Sequence, residues 1–530
     1  MAGGRTLKKL LKYFIMRLFH IVCILLLFFT SCAKKLDQVN PNAQTASSFW
    51  VTSDDAFQGG TAAYTPLLLD GAYMRFTPCL LDVRGDDVRS NSPWSQIYNI
   101  GRFALGTGIA DGYGWAFDEY YEGISRCNQV LDNVPPIKMD QSLKNRVLGQ
   151  AYFLRGLYFF HLVNMFGNVA LPVHEAKTKA DFYIKQSTQA DGWQQVISDF
   201  QKAIPLLPVT YDTVTGPDKG QLGRATKGAA MAYLGKTYLF NKRWQDASDQ
   251  FKAVMGLGVY GLMPNYKDNF TEAHENNMES IFEVQFSTTA GGTDLGWQGI
   301  PTSTWAKTSA RAITYAAPNF GWKDVQPSFS VFSEFQQEKT VGGDVDPRLD
   351  VTIFYNKPGE MLYGQSFAAV YAGSAWLDDI FCRKYENGDG NKPNEFDWKS
   401  GINERLMRYS DVLLMYAECQ NELNNVAECA KYVQQVRDRV DLPDREAEFA
   451  GYTQAQMRDQ LGHERLLEFC LEGHRFDDIN RWGWLQDPTK LAWLKQRDPE
   501  FNSYQAGREL YPIPQTEIDN NPGFKQNPTY

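Results

Sequence analysis

Apolar residues along this chain recur mostly three and four apart, the rhythm of helices that bury one face, and in one long stretch that rhythm fails. Ser53 and Asp54 read as a cap before the first helical run, AFQGGTAAYTPLL. Residues 80–99 are rich in Gly, Asp, Asn and Pro and predict a loop. Trp115 to Val134 predicts a helix, stopped by Pro135 and Pro136. Arg146 to Phe166 predicts another, and DGWQQVISDFQKAIPLLP follows after an insertion of about twenty residues. Ala225 to Val254 reads as two short helices in a hairpin. From about Tyr260 to Ser400 Gly, Pro, Thr, Trp and Asn dominate, with short strand-like runs such as SIFEVQFS and RLDVTIFY. Helices resume at Glu404, over ERLMRYSDVLLMYAECQNEL, VAECAKYVQQVRDRVDL and TQAQMRDQLGHERLLEFCLEGHRFDDINRWG.

The hairpin at 225–254 organises the rest. Leu234, Gly235 and Tyr238 on its first helix, with Ala247 and Phe251 on its second, resemble the skeleton of a tetratricopeptide repeat. Gly235 and Ala247 are small where two backbones cross, and Tyr238 and Phe251 fill the space beside them. Tyr152, Gly156 and Phe159 repeat the first half, and Phe200, Ala203 and Pro208 repeat the second, displaced by the insertion. A single hairpin cannot bury its apolar face alone, so neighbours of the same kind are required. The expected fold is mainly α: four tetratricopeptide-like helical hairpins as a scaffold, with an irregular loop-rich subdomain containing short strands.

The start of the chain is a separate matter. Lys8, Lys9, Lys12 and Arg17 precede the apolar run Ile21–Phe29, then Thr30, Ser31 and Cys32. This predicts a secretory signal over 1–31, too short to span a membrane as a mature helix. Met16 is an alternative start that leaves a complete short signal. Residues 1–31 carry five basic and no acidic residues, which leaves 48 basic against 62 acidic, or −14. Such a balance argues against nucleic acid or an anionic lipid surface as partner. The expected organisation is 1–31 signal, 32–259 N-terminal helical region, 260–400 irregular ligand-binding subdomain, and 401–530 C-terminal helical part with an extended tail. Six cysteines follow Cys32, scattered and without a CxxC pair; those in helical runs suit buried apolar sites.

Several stretches carry possible chemical signatures. Ala230 to Thr237, AMAYLGKT, fits a loose phosphate-loop pattern, but its intervening residues favour helix and the repeat accounts for Gly235. His463, Glu464 and His474 suggest zinc only weakly, since Leu467 stands where H-E-x-x-H needs its second His. Glu464, Arg465 and Glu468 are expected to form ion pairs between helices. Asp86–Asp87 and Asp378–Asp379 are the carboxylate pairs a glycoside hydrolase could use. No G-x-S-x-G elbow occurs, and Asp389-Gly-Asn lacks the spacing of a calcium loop. No catalytic residue, metal or cofactor is therefore expected. The aromatic content, with 13 Trp and 27 Tyr, exceeds what a core needs. Trp94 lies in a polar loop beside Arg89 and Asn91, and Trp297, Trp305 and Trp322 lie in the irregular stretch. Aromatic faces can stack on the C–H faces of sugar rings while Arg, Asp and Asn bond hydroxyls. These six residues form the expected ligand site, although each Trp could equally pack its own loop.

Four ordered motifs carry a family resemblance. NERLMRYSDVLLMYAE (403–418), VQQVRDRVDL (433–442), ERLLEFCLEGHRFDDINRWG (464–483) and the tail from Tyr511 to Tyr530 resemble the SusD/RagB family of bacterial outer-membrane lipoproteins, with Gln434, Asp441 and Thr529 departing from its pattern. Cys32 after Thr30–Ser31 resembles a lipobox, with Phe29 in place of the usual Leu, which implies acylation of that thiol. The resemblance implies an outer-membrane, cell-surface, lipid-anchored binding protein. It would hold oligosaccharide or peptide nutrients in a groove of the N-terminal region and inserted loops, and deliver them to a TonB-dependent SusC-like transporter. A secreted glycoside hydrolase and a repeat adaptor that binds no ligand remain the alternatives.

Overall fold

The computed structural model describes residues 9, 11–17, 49–108, 110–289, 308–388 and 400–530. Two units are distinguished, Met1–Val51 and Thr52–Tyr530. In the first, residues 11–17 are helical. Most of the signal segment, and Cys32, lie outside the described residues. No described helix is long and apolar enough to cross a membrane.

The second unit begins with α1 (Ser53–Ala62), capped by Thr52 rather than Ser53: the Thr52 hydroxyl accepts from the Asp55 N–H while the Asp55 carboxylate accepts from the Thr52 N–H. Next come α2 (Phe76–Asp82), β1 (Val88–Ser90) and α3 (Ser95–Gly101). The loop expected over 80–99 is therefore the end of a helix, a strand and the start of another helix. Its polar composition reflects buried ion pairs rather than solvation.

Helices α4 (Tyr113–Asn133), α5 (Gln141–Phe166), α6 (Gln189–Ala203), α7 (Lys227–Phe240) and α8 (Trp244–Gly256) follow. The repeat chemistry is visible at the crossings. A Cβ on Gly235 would lie 2.7 Å from the Phe251 ring, and one on Gly156 would lie 2.9 Å from the Phe200 ring. Both crossings thus need the missing side chain, and Ala247 and Phe251 are fully buried. Ala230 to Thr237 is helical throughout, and Lys236 faces Asp411 at 3.7 Å, so no phosphate loop exists there.

Between the helical parts lie β2 (Ser280–Val284), β3 (Val325–Pro327), α9 (Phe329–Gln337), β4 (Ile353–Tyr355), β5 (Met361–Leu362), β6 (Gln365–Ser366) and β7 (Ile380–Cys382). Each pairs in a two-stranded antiparallel ribbon: β1 with β3, β4 with β7, β5 with β6, and β2 with β8 (Glu404–Arg408). Of RLDVTIFY only IFY is strand; Arg348–Thr352 is a helical turn. ERLMR, expected to open a helix, is instead β8, with all five residues buried and helix starting at Tyr409. Its charged residues hide the strand pattern because their partners are buried too.

The C-terminal part comprises α10 (Tyr409–Glu422), α11 (Val426–Asp438), α12 (Gln454–Phe469), α13 (Arg475–Arg481) and α14 (Pro488–Arg497). The run expected as one helix from 453 breaks after Phe469, because Leu471 and Gly473 take φ of 65° and 75° and turn the chain. Among the described residues these helices pack as the hairpins α4–α5, α5–α6 through a shared helix, α7–α8 and α10–α11. Residues 511–527 run back over α5: the Tyr511 N–H donates to the Met165 carbonyl (2.8 Å), and Asn527 Nδ2 donates to the Phe166 carbonyl (2.9 Å).

A buried ionic core joins the parts. Arg408 donates to Glu279, Glu468 and Glu472; Arg348 donates to Asp346, Glu464 and Glu468; Lys384 donates to Glu472. All of these side chains are 2% exposed or less. The pairing expected for Glu464, Arg465 and Glu468 is present, and Arg465 bridges Asp411 and Asp478. The six described cysteines are free and buried.

Candidate functional site

Met74, Arg75 and Phe76 are consecutive, and each supports part of an aromatic surface. Gly71 makes this possible. A Cβ there would lie 2.4 Å from the Trp115 backbone, so only glycine lets the segment press onto the first turn of α4. The turn Asp70–Met74 is a short π-helix interrupted at Ala72 (φ −82°, ψ −130°). Arg75 folds back onto Asp70 with two hydrogen bonds, one of 2.8 Å from Nε, and both side chains are buried. Burial pushes the Asp70 carboxyl up, and the Arg75 guanidinium opposes that shift.

The ion-paired guanidinium then serves as a platform. It lies 4.6 Å from the Phe76 ring and 5.3 Å from the Trp94 ring. Trp94 meets Phe76 edge-on at 5.2 Å and Trp115 at 6.2 Å. The Trp94 N–H donates to Ser92 Oγ (3.1 Å) and its carbonyl accepts the first bonds of α3. Trp322 packs against Met74, Ala310 and Ile313, and its N–H donates to the Ile313 carbonyl (2.8 Å). Trp94, Trp115 and Trp322 are each partly exposed. Two of the four tryptophans singled out in the sequence are thus held on one short stretch of chain, by neighbours that fix their rings.

Arg89 lies on β1 and Asn91 just beyond its end, but their polar ends are already engaged. Arg89 pairs with Asp379, donates to the Pro327 carbonyl (3.3 Å) and covers the Phe329 ring at 4.8 Å. Asn91 Nδ2 donates to Gln326 Oε1, and Gln326 Nε2 donates to the Ile380 carbonyl (3.0 Å). The Asn91 N–H donates to the Asp324 carbonyl at 3.0 Å. Burial pushes the Asp324 carboxyl up to about 6, against the pull of Ser92 and Arg75. Trp297 and Trp305 lie outside the described residues, as does Asp389. Sequence reading missed Arg75 and Trp115. The Gly112–Gly114 pair flanking Tyr113, just ahead of Trp115, was the available signal, since Gly112 has φ 82°.

The carboxylates offered for hydrolysis are committed elsewhere. Asp86 and Asp87 are 0% and 1% exposed. Asp86 receives Arg475 and Arg497; burial works to raise its pKa, but the two guanidinium groups lower it overall. Asp87 is pushed up to about 8, first by burial and then by Asp86 and Asp82. Asp379 holds Arg89, and Asp378 ends a short exposed turn. His463 bridges Glu334 (3.0 Å) and Glu338 (2.9 Å), whereas His474 is buried beside Asp411 (3.6 Å). The two histidines therefore share no face, because the break after Phe469 separates them. Among the described residues no cluster of three His, Cys, Asp or Glu could hold a metal.

Two family models match the chain: the SusD family over residues 278–530, and "starch-binding associating with outer membrane" over 77–239. Similar proteins include SusD-like protein P25 of Formosa agariphila, 24% identical over 96% of this chain and 98% of that one. Starch-binding protein SusD of Bacteroides thetaiotaomicron is 22% identical over 78% of each chain. Among solved structures, a SusD superfamily protein of Bacteroides vulgatus superposes with a TM-score of 0.78 at 29% identity, covering 91% of this chain and all of the other. A laminarin-binding SusD-like protein gives 0.73 at 25% identity, over 91% of this chain and all of its own. The two models together match residues 77–239 and 278–530, and the solved relatives share the fold: the chain belongs to the SusD/RagB family.

Proposed function

We propose that the protein is a lipid-anchored cell-surface binder of oligosaccharide, or of peptide, that passes its cargo to a SusC-like TonB-dependent transporter in the outer membrane without altering it. One observation carries the reading: Trp94 packs on Phe76 and Trp322 on Met74, two residues apart in the chain, and both tryptophans stay partly exposed. Rigid aromatic faces lose little entropy on stacking, which suits a neutral, polyhydroxylated ligand. Trp297 and Trp305 belong to the same proposed ligand set, and Arg89 and Asn91 are held beside Trp94 by Asp379 and Gln326. The relatives' names point the same way, one being a laminarin-binding protein and another a starch-binding protein. Cys32 is the acylation site, and residues 260–400 are the ligand-carrying part.

Isothermal titration with laminarihexaose and maltohexaose tests the reading. Trp94→Ala and Trp322→Ala should each weaken binding about tenfold, or 1.4 kcal/mol. Unchanged affinity in both variants removes the site assignment. Shortened products after prolonged incubation would make the protein a hydrolase instead.

A further inference from the structure

A second aromatic cleft opens on the helical frame, and it shares no residue with the surface around Trp94. It has a volume of about 500 Å3 and is formed where the α7–α8 turn, the end of α10, the start of α12 and the α13–α14 connection meet. Three indoles line it: Trp244, Trp482 and Trp484. All three are partly exposed.

Two of them, Trp482 and Trp484, are fixed from behind. Trp482 Nε1 donates to Glu418 Oε1 (2.8 Å), and Glu418 is itself held by Arg481 (2.7 Å). The Trp482 and Trp484 rings lie 5.1 Å apart at 41°, and Trp493 closes edge-on against Trp484 at 5.6 Å. The turn that presents them requires Gly483 at φ 75°, and the Trp484 N–H donates to the Ile479 carbonyl (3.1 Å). The Trp482 and Trp484 faces are therefore set before any ligand arrives.

The rim offers both donors and acceptors. Arg458 forks onto Glu422 with bonds of 2.6 and 2.8 Å, and Lys490 donates to Asp459 (2.7 Å) while lying 4.9 Å from the Trp484 ring. Four cationic and three carboxylate side chains line the cleft. With charges so nearly balanced, neither an anionic nor a cationic oligomer is favoured. What the cleft presents is flat apolar faces bordered by polarised hydrogen-bonding groups, in a volume within the range of about 300–1,000 Å3 usual for small-molecule sites. A neutral sugar has the complementary pattern of an apolar ring face and a periphery of hydroxyls that both donate and accept.

We infer that this cleft is a second saccharide-binding site, stacking neutral sugar rings on Trp244, Trp482 and Trp484 and bonding their hydroxyls through Arg458, Glu422, Lys490 and Asp459. The two sites would let one protein hold a long glycan at two points.

The test is calorimetry of the full chain with laminarihexaose and maltohexaose in three backgrounds: unaltered, Trp94→Ala with Trp322→Ala, and Arg458→Ala with Lys490→Ala. Trp244→Ala serves as an independent cleft variant, and circular dichroism checks that every variant is folded. The inference expects two sugars bound per chain, one remaining in the Trp94/Trp322 variant, and loss of that remaining one by at least tenfold when either cleft variant is added. Complete loss of binding in the Trp94/Trp322 variant overturns the second site and leaves the first. Unchanged binding there, with loss in both cleft variants, upholds the second site and removes the first. No binding of either sugar by the unaltered chain overturns both.

Discussion

Arg408, the last residue of β8, donates from one guanidinium nitrogen to Glu468 Oε1 on α12 at 2.8 Å, and neither side chain is more than 1% exposed. The same Glu468 receives Arg348 (3.2 Å) and Arg439, so three cations converge on one carboxylate. Burial alone would raise its pKa; Arg439, Arg408 and Arg348 hold it well below the usual carboxylate range. A buried pair is costly to form and costlier to break, because the orphaned charges stay desolvated. Glu468→Ala is expected to lower unfolding stability by about 3–5 kcal/mol in a urea titration. A loss below about 1 kcal/mol would show that the network is solvated.

The hairpin crossing at Gly235 makes a steric prediction. Gly235→Val places branched carbon where a Cβ alone already meets the Phe251 ring at 2.7 Å. A cost of about 1–3 kcal/mol is expected, as for other overpacked interiors. Pairing it with Phe251→Leu should recover part of the loss, and thermal melts of the single and double variants would show it.

His463 makes stability depend on pH. Burial lowers its pKa, but the bonds to Glu334 and Glu338 outweigh burial and raise it to about 9. A folded value above the free value of 6.5 means the contribution is complete below 6.5 and is lost as pH rises through about 9. Glu338 is held down to about 2, chiefly by its bond to His463, so its contribution is present above 4.5 and lost as pH falls toward 2. Relative to His463→Gln, the unaltered chain should lose about 2 kcal/mol between pH 6.5 and 9. Parallel stability curves for the two proteins would sink this account.

Thiol chemistry should follow burial. Burial pushes Cys79 and Cys382 up to about 12, and raises Cys127, Cys419, Cys429 and Cys470 as well. In a chain beginning at Ala33, Ellman's reagent should find no fast-reacting thiol in the native state and all six in guanidinium. Fewer than six in denaturant would reveal a disulfide.

Legibility in the sequence tracked the chemistry of each element. The hairpins at Gly156–Phe200 and Gly235–Phe251 could be read because small and aromatic residues recur at fixed spacing there. Trp94 and Trp322 stood out for a related reason, being large rings in polar surroundings. ERLMR could not be read as a strand, since Glu404, Arg405 and Arg408 are buried by partners far along the chain. The break at Leu471 was hidden for another reason: a leucine rarely takes positive φ, so nothing at that position announces the turn that Leu471 and Gly473 make together. Arg75 escaped notice because its role depends on a fold-back onto Asp70 that no spacing announces.

The carbonyls of Met165 and Phe166 end α5 without helical partners, and they are satisfied by Tyr511 and by an asparagine 361 positions later in the chain. The first hairpin to leave the ribosome therefore waits for one of the final stretches to be translated before its frayed end is sealed. A message cut short upstream of that stretch yields a chain in which both carbonyls lack these donors.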